Sequence, residues 1–305
     1  MMSWFLIALA APFLWSVVNI SDQYLVAKYS AGENTSGGIV LFGGFIAIAI
    51  AFIIGIFTAG IFQIPILDKL LLVMVGGITI AWVLFYFRAL EIGDVSAVVP
   101  WFLTVPIFGF VLGYLFLGET LSVQQLLGSL IILLGGFFVL VDFSESKKKF
   151  AWKSALYMVV ACFLIAAAGI IFKYVTVGGS FWISSFWEYV GFGIFGVLAY
   201  FFIPKYRHEF IAIFKKGGRN IIMLTTIIET LTIAGNLLTN FAILLAPVTM
   251  VYLVGSFQPA ILLCFTLIGT RFFPNIVKED MSKRVLVPKI IAITVMIAGS
   301  AILFL

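Results

Sequence analysis

The chain has 305 residues, 63% of them hydrophobic and only 10% charged, with a mean hydropathy of +1.23. That composition leaves too few polar groups to cover a water-soluble domain, so it excludes one and defines an integral membrane protein. The net charge of +5 does not point to nucleic acid either, because the basic residues sit in short loops between apolar segments, which is a membrane-topology signal.

A hydrocarbon core about 30 Å thick takes roughly 20 apolar residues per helical crossing. Long apolar runs without two-residue alternation predict helices rather than barrel strands, since lipid offers no partner to an unpaired backbone group. Ten crossings are predicted: 3–27, 38–57, 70–90, 95–117 and 122–141, then 154–175, 181–203, 220–243, 248–269 and 286–305. The first lacks a basic leader and a small-residue cleavage signal, and reads as a retained helix. Very short links, Glu91 to Asp94 and Ala246-Pro247, make crossings three and four, and eight and nine, antiparallel neighbours. The stretch Pro204 to Arg219 reads as a longer link whose Phe210 to Phe214 portion lies at the interface between basic clusters.

The tract from Tyr86 to Gly136 recurs near the C-terminus. At a shift of 153, Ala89 falls on Ala242, Val95 on Val248, Val98 on Val251 and Pro106 on Pro259; at 163, Gly136 falls on Gly299. Upstream, Lys28-Tyr29 and Lys173-Tyr174 match at 145. The expected fold is therefore an all-α integral membrane protein of ten transmembrane helices, built as two five-helix repeats, 1–141 and 154–305, joined by a hydrophilic hinge at 142–153. An odd helix count inverts the second repeat, and such folds place a substrate site between the halves. Of the 18 Lys and Arg, all but Lys69 and Lys173 fall on the face of the odd-numbered loops. The positive-inside rule puts that face in the cytoplasm and both termini outside.

An ionisable side chain within the membrane is costly and turns to a bundle interior or aqueous cavity. Asp22, Glu188 and Glu229 qualify. Trp15, Asn19, Asp22 and Gln23 share one face of crossing one; Thr225, Glu229, Thr232, Asn236 and Asn240 share a face of crossing eight. Thr79, Trp82 and Tyr86 line up on crossing three, Trp101 and Thr104 precede Pro106, and Tyr252, Ser256 and Gln258 precede Pro259. For any single Thr or Ser, an interhelical hydrogen bond worth about 1 kcal/mol is explanation enough. Asp22 and Glu229 have no such modest structural job and are assigned to substrate binding and coupling, with Glu188 nearer to water. One of these carboxylates would hold a proton until a cationic substrate arrives.

Pro106 and Pro259 each remove a backbone hydrogen bond at equivalent depth, giving either a hinge or a fixed bend. Lys28 and Lys173 read as snorkelling side chains, and Arg88 and Glu119 as interfacial charges. Gly135, Gly136, Ala298 and Gly299 allow close packing, within the bundle or between protomers. Cys162 and Cys264 read as mid-helix packing residues without a disulfide, and the lone His208 as a solvated loop residue. Neither a metal site nor a cofactor is expected, and the absence of a Ser/His pair or paired catalytic aspartates argues against an intramembrane enzyme.

Ala89-Leu90-Glu91-Ile92-Gly93, the Ser96-Ala97 start, Pro106, Leu117-Gly118-Glu119-Thr120-Leu121-Ser122 and a Gly-rich fifth helix together resemble the EamA-like branch of the drug/metabolite transporter superfamily over essentially the whole chain. The second half departs at Gly269-Thr270-Arg271-Phe272-Phe273, where a second acidic turn would be expected. The resemblance implies a secondary transporter in the cell membrane, moving a small metabolite or drug-like compound, often outward, by alternating access. It also implies cytoplasmic termini, the reverse of the basic-residue count. An uncoupled facilitator or lipid-linked-group flippase of the same fold, and a non-transporting receptor or scaffold, stay open. Expected partners are a neutral, zwitterionic or cationic small molecule, protons and lipid, with the chain a monomer or homodimer.

Overall fold

A computed structural model describes residues 3–29, 36–92, 98–140, 152–272 and 283–303. The regular structure of the described residues is all helical, with no strand among them: α1 Ser3–Tyr29, α2 Ser36–Phe57, α3 Ile66–Ile92, α4 Val105–Leu112, α5 Val123–Leu140, α6 Trp152–Thr176, α7 Phe181–Phe202, α8 Pro204–Leu245, α9 Val248–Gly255, α10 Gln258–Phe272 and α11 Lys283–Leu303. Among the described residues, eight stretches are long and apolar enough to cross a membrane, and two shorter apolar helices, Val123–Phe138 and Leu286–Ile302, stand where crossings five and ten were expected. Large side chains such as Phe52, Phe57, Phe116 and Phe202 are exposed on the outside, as a lipid-facing surface permits. Residues 142–151 of the expected hinge and the Gly93–Ala97 part of the three-to-four connection lie outside the described residues, and the hinge's last two residues, Trp152 and Lys153, begin α6.

Both prolines interrupt their crossings. The ring carries no N–H and crowds the preceding turn. Ahead of Pro106 the chain winds as a 3-10 helix, Val99–Thr104, before α4 begins; a π turn, Gly113–Leu117, then leads to Gly118 at φ +64. Ahead of Pro259, α9 stops at Gly255, and Ser256 and Phe257 donate to the carbonyls of Leu253 and Val254.

α1 packs on α8 and α10, α2 on α7 and α8, α3 on α6 and α7, α4 on α6 and α9, and α5 on α11. Close approach rests on missing side chains. A Cβ on Gly76 of α3 would collide with the backbone of Glu188 and Phe192 in α7. The Gly135 and Gly299 surfaces meet within one chain, Gly135 against Met296 and Gly299 against Ile131, so the small residues serve the α5–α11 contact.

The stretch read as an interfacial link is helical instead. α8 starts at Pro204 and breaks only at Gly218, whose φ is +58. Its first arm buries Tyr206 and Ile213, with the Phe210 ring against Phe45 and Tyr200. Tyr206, Phe210 and Ile213 recur at helical spacing, which gives the arm a face to pack.

Candidate functional site

A cavity of about 160 Å³ opens within the helical bundle, walled by α1, α3, α7, α8 and the α9–α10 break. Trp15, Asn19, Asp22, Trp82, Tyr86, Glu188, Glu229, Asn236, Asn240, Tyr252 and Gln258 all line it, as do Thr79 and Thr232. The stripes read from the sequence thus converge from different helices.

Tyr86 ties the first cluster together. Its hydroxyl lies 3.1 Å from Asn19 Oδ1 and 3.3 Å from Asp22 Oδ2, both on α1. Asn19 Nδ2 and Asp22 Oδ1 are buried without a hydrogen-bond partner among the described residues. Such groups cost free energy unless something in the cavity satisfies them. Glu229 lies against Gly43 of α2, whose missing side chain makes room for the carboxylate. In the second cluster Glu188 Oε2 accepts a hydrogen bond of 2.8 Å from Asn240 Nδ2. Tyr252 donates to the Ile165 carbonyl at 3.1 Å and packs over Gly109 and Gly169. Trp15 seats its indole on Gly235, and the Gln258 carbonyl is 3.4 Å from Ser16 Oγ. No Lys, Arg or His is among the lining residues.

Two expectations change here. Trp101 does not line the cavity; Phe102 does. The Trp101 carbonyl instead accepts from Thr104 Oγ1 at 2.7 Å and from the Cys162 thiol at 3.2 Å. Lys173 does not snorkel: its Nζ is 2.6 Å from Glu119 Oε1 and donates to the Ala246 carbonyl at 2.7 Å. Glu119 Oε2 in turn accepts from the Val248 N–H at 2.8 Å. With side chains only 13% and 12% exposed, this is a buried clasp joining the Leu-Gly-Glu turn to α6 and to the α8–α9 turn, one helical turn beyond the cavity wall. The side chains of Gln23 and Lys28 lie outside those described.

The opposite end is held differently. Arg88 Nη2 donates to the Tyr206 hydroxyl at 3.0 Å, and Glu91 Oε1 accepts from the Ser36 N–H at 3.0 Å at the start of α2. Sequence reading passed over Pro12, Phe87 and Phe192, which also line the cavity. Pro12 sits inside α1, and its carbonyl accepts from Ser16 Oγ at 2.7 Å. A proline within an apolar helix was the available signal; an aromatic among so many others gives none.

Long apolar helices around a buried polar cavity define a multi-pass membrane protein. Residues 2–141 match the EamA-like transporter family, part of the drug/metabolite transporter superfamily. Its members are transporters rather than enzymes. A solved crystal structure is similar in fold, with a TM-score of 0.59 at 13% identity over 98% of this chain and 95% of that one. No curated protein matches the sequence.

Proposed function

We propose that this protein is a secondary active transporter that exports a small metabolite or drug-like compound across the cell membrane by alternating access. The observation that carries the reading is the cavity between the halves, with Asp22 from the first half and Glu188 and Glu229 from the second on one wall system. Carboxylates in a membrane bundle mark substrate or ion pathways.

The architecture behind it is ten crossings in two inverted repeats, 1–141 and 154–305, about the 142–153 hinge. The packing supports this. Exchanging α1 with α6, α2 with α7, α3 with α8, α4 with α9–α10 and α5 with α11 turns the α3–α6 contact into α8–α1 and the α3–α7 contact into α8–α2, both observed, while α2–α7 and α5–α11 map onto themselves. Rocking of the halves would pivot at Pro106 and Pro259, where the helices are already interrupted. Asp22 and Glu229 carry the coupling proton. Trp15, Asn19, Trp82, Tyr86, Asn236, Asn240, Tyr252 and Gln258 shape the substrate pocket.

The test is reconstitution in liposomes loaded with a pH-sensitive dye, challenged with pooled metabolites and cationic drugs. A proton signal from the wild type that Asp22→Asn and Glu229→Gln lose, with folding intact, supports coupled transport. Substrate counterflow that ignores an imposed pH gradient would make the protein a facilitator. No flux of any pool would leave a receptor or scaffold.

A further inference from the structure

The acidic groups of the cavity lie in two places. Asp22, hydrogen-bonded to Tyr86, and Glu229, against Gly43, form one locus. Glu188, hydrogen-bonded to Asn240, forms the other. Two helices measure the gap independently. On α3 the Glu188 backbone packs at Gly76 and the Asp22 contact is at Tyr86, ten residues on, or about 15 Å at 1.5 Å per residue. On α8 Glu229 precedes Asn240 by eleven residues, about 16 Å. The separation exceeds what one compact ammonium group can bridge.

Between the loci the wall carries no charge. Thr79 and Trp82 fill it on α3, and Thr232 and Asn236 on α8. Apolar and aromatic surface suits a methylene chain, and indole faces attract nearby cations. At one end a buried oxygen, Asp22 Oδ1, has no hydrogen-bond partner among the described residues. At the other, Asn240 occupies only Oε2 of Glu188. Lys173, the nearest cation on α6, is held by Glu119, and Arg88 by Tyr206, so neither neutralises these sites.

We propose that the substrate is a linear dication or polycation, an α,ω-diamine or longer polyamine, bound with one terminal ammonium at Asp22 and Glu229 and the other at Glu188. The assignment rests on the transporter reading above and narrows it. An anionic cargo would meet three carboxylates and no base, and a compact monocation would leave one locus empty.

The test is calorimetric titration of the detergent-purified protein with a homologous series from diaminobutane to diaminododecane, against amino alcohols of matched length in which a hydroxyl replaces one ammonium. At the best length the diamine should bind about tenfold or more tightly than its amino alcohol, and the optimum should fall among the longer members. In Glu188→Gln that ratio should collapse toward one, read only in protein whose melting curve and gel-filtration profile match the wild type. Equal affinities for diamine and amino alcohol at every length overturn the proposal without recourse to the variant. If no diamine binds while another metabolite exchanges in counterflow, the polycation assignment fails and the transporter reading stands; if nothing exchanges, both fail.

Discussion

Replacing Lys173 by Met should destabilise the protein severely, and a double-mutant cycle with Glu119→Gln should show why. Lys173 and Glu119 face each other at 2.6 Å with about one-eighth of each side chain exposed. Removing one partner of a buried pair costs about 3–5 kcal/mol, because the remaining charge is left desolvated. Two features moderate that figure: water reaches the exposed fraction, and the Val248 N–H still serves Glu119 at 2.8 Å. The expected loss for Lys173→Met is therefore near the lower end, about 3 kcal/mol. At about 2 °C per kcal/mol for a chain of this size, the melting temperature should drop by about 6 °C. Glu119→Gln/Lys173→Met, which removes both charges, should recover more than half of that loss, whereas Glu119→Gln alone should resemble the single lysine change. Thermal unfolding of the four proteins by tryptophan fluorescence in one detergent gives the cycle. Additive single effects, or melting points within a degree of wild type, would refute the buried coupling.

Gly76→Ala should cost about 1–3 kcal/mol by overpacking, since its Cβ has only α7 backbone to push against. Gly255→Ala, which meets nothing within 4 Å, should fold normally; expression and melting of the pair test the contrast. Tyr86→Phe should lower stability by about 1 kcal/mol by removing the hydroxyl that Asn19 and Asp22 share, and an unchanged melting point would show that the hydroxyl contributes no net stability. Glu209, on the first arm of α8 where it packs against the start of α2 outside the crossings, has its pKa raised by burial, an effect only partly offset by Lys205 and the backbone of Gly38 and Gly37. Its protonated form is the better fit to the folded state. Stability is thus highest below the ordinary glutamate range and falls as pH rises through the elevated folded-state pKa, and Glu209→Gln should flatten that part of the melting profile.

Much of the site could be read from residue spacing. A stripe such as Asn19, Asp22 and Trp15, or Glu229, Asn236 and Asn240, needs only an unbroken α-helix to land on one face, and α1 and the second arm of α8 supply that. Trp101 escaped because the segment before Pro106 is a 3-10 helix, which turns 3.0 rather than 3.6 residues per revolution. The phase error accumulated over Val99 to Thr104 brings Phe102 to the cavity instead. The Glu119–Lys173 clasp was illegible for another reason: each residue taken alone fits an interfacial side chain, and their meeting depends on how α4 docks on α6. The first arm of α8 was missed because its basic residues mask an apolar face that only its packing partners reveal.

The clasp also bears on which way the protein rests. In the proposed inverted-repeat architecture, two identical halves would make the inward-open and outward-open forms equivalent by two-fold rotation and equal in free energy. Glu119 would break that degeneracy. Opening the cavity at this end would separate an ion pair and free the Val248 N–H and the Ala246 carbonyl, whereas Gly269-Thr270-Arg271, the stretch expected to match the Leu-Gly-Glu turn, continues helix α10 and brings no acid of its own. On the proposed function, the unloaded protein would idle with this end shut, and cargo would enter at the other.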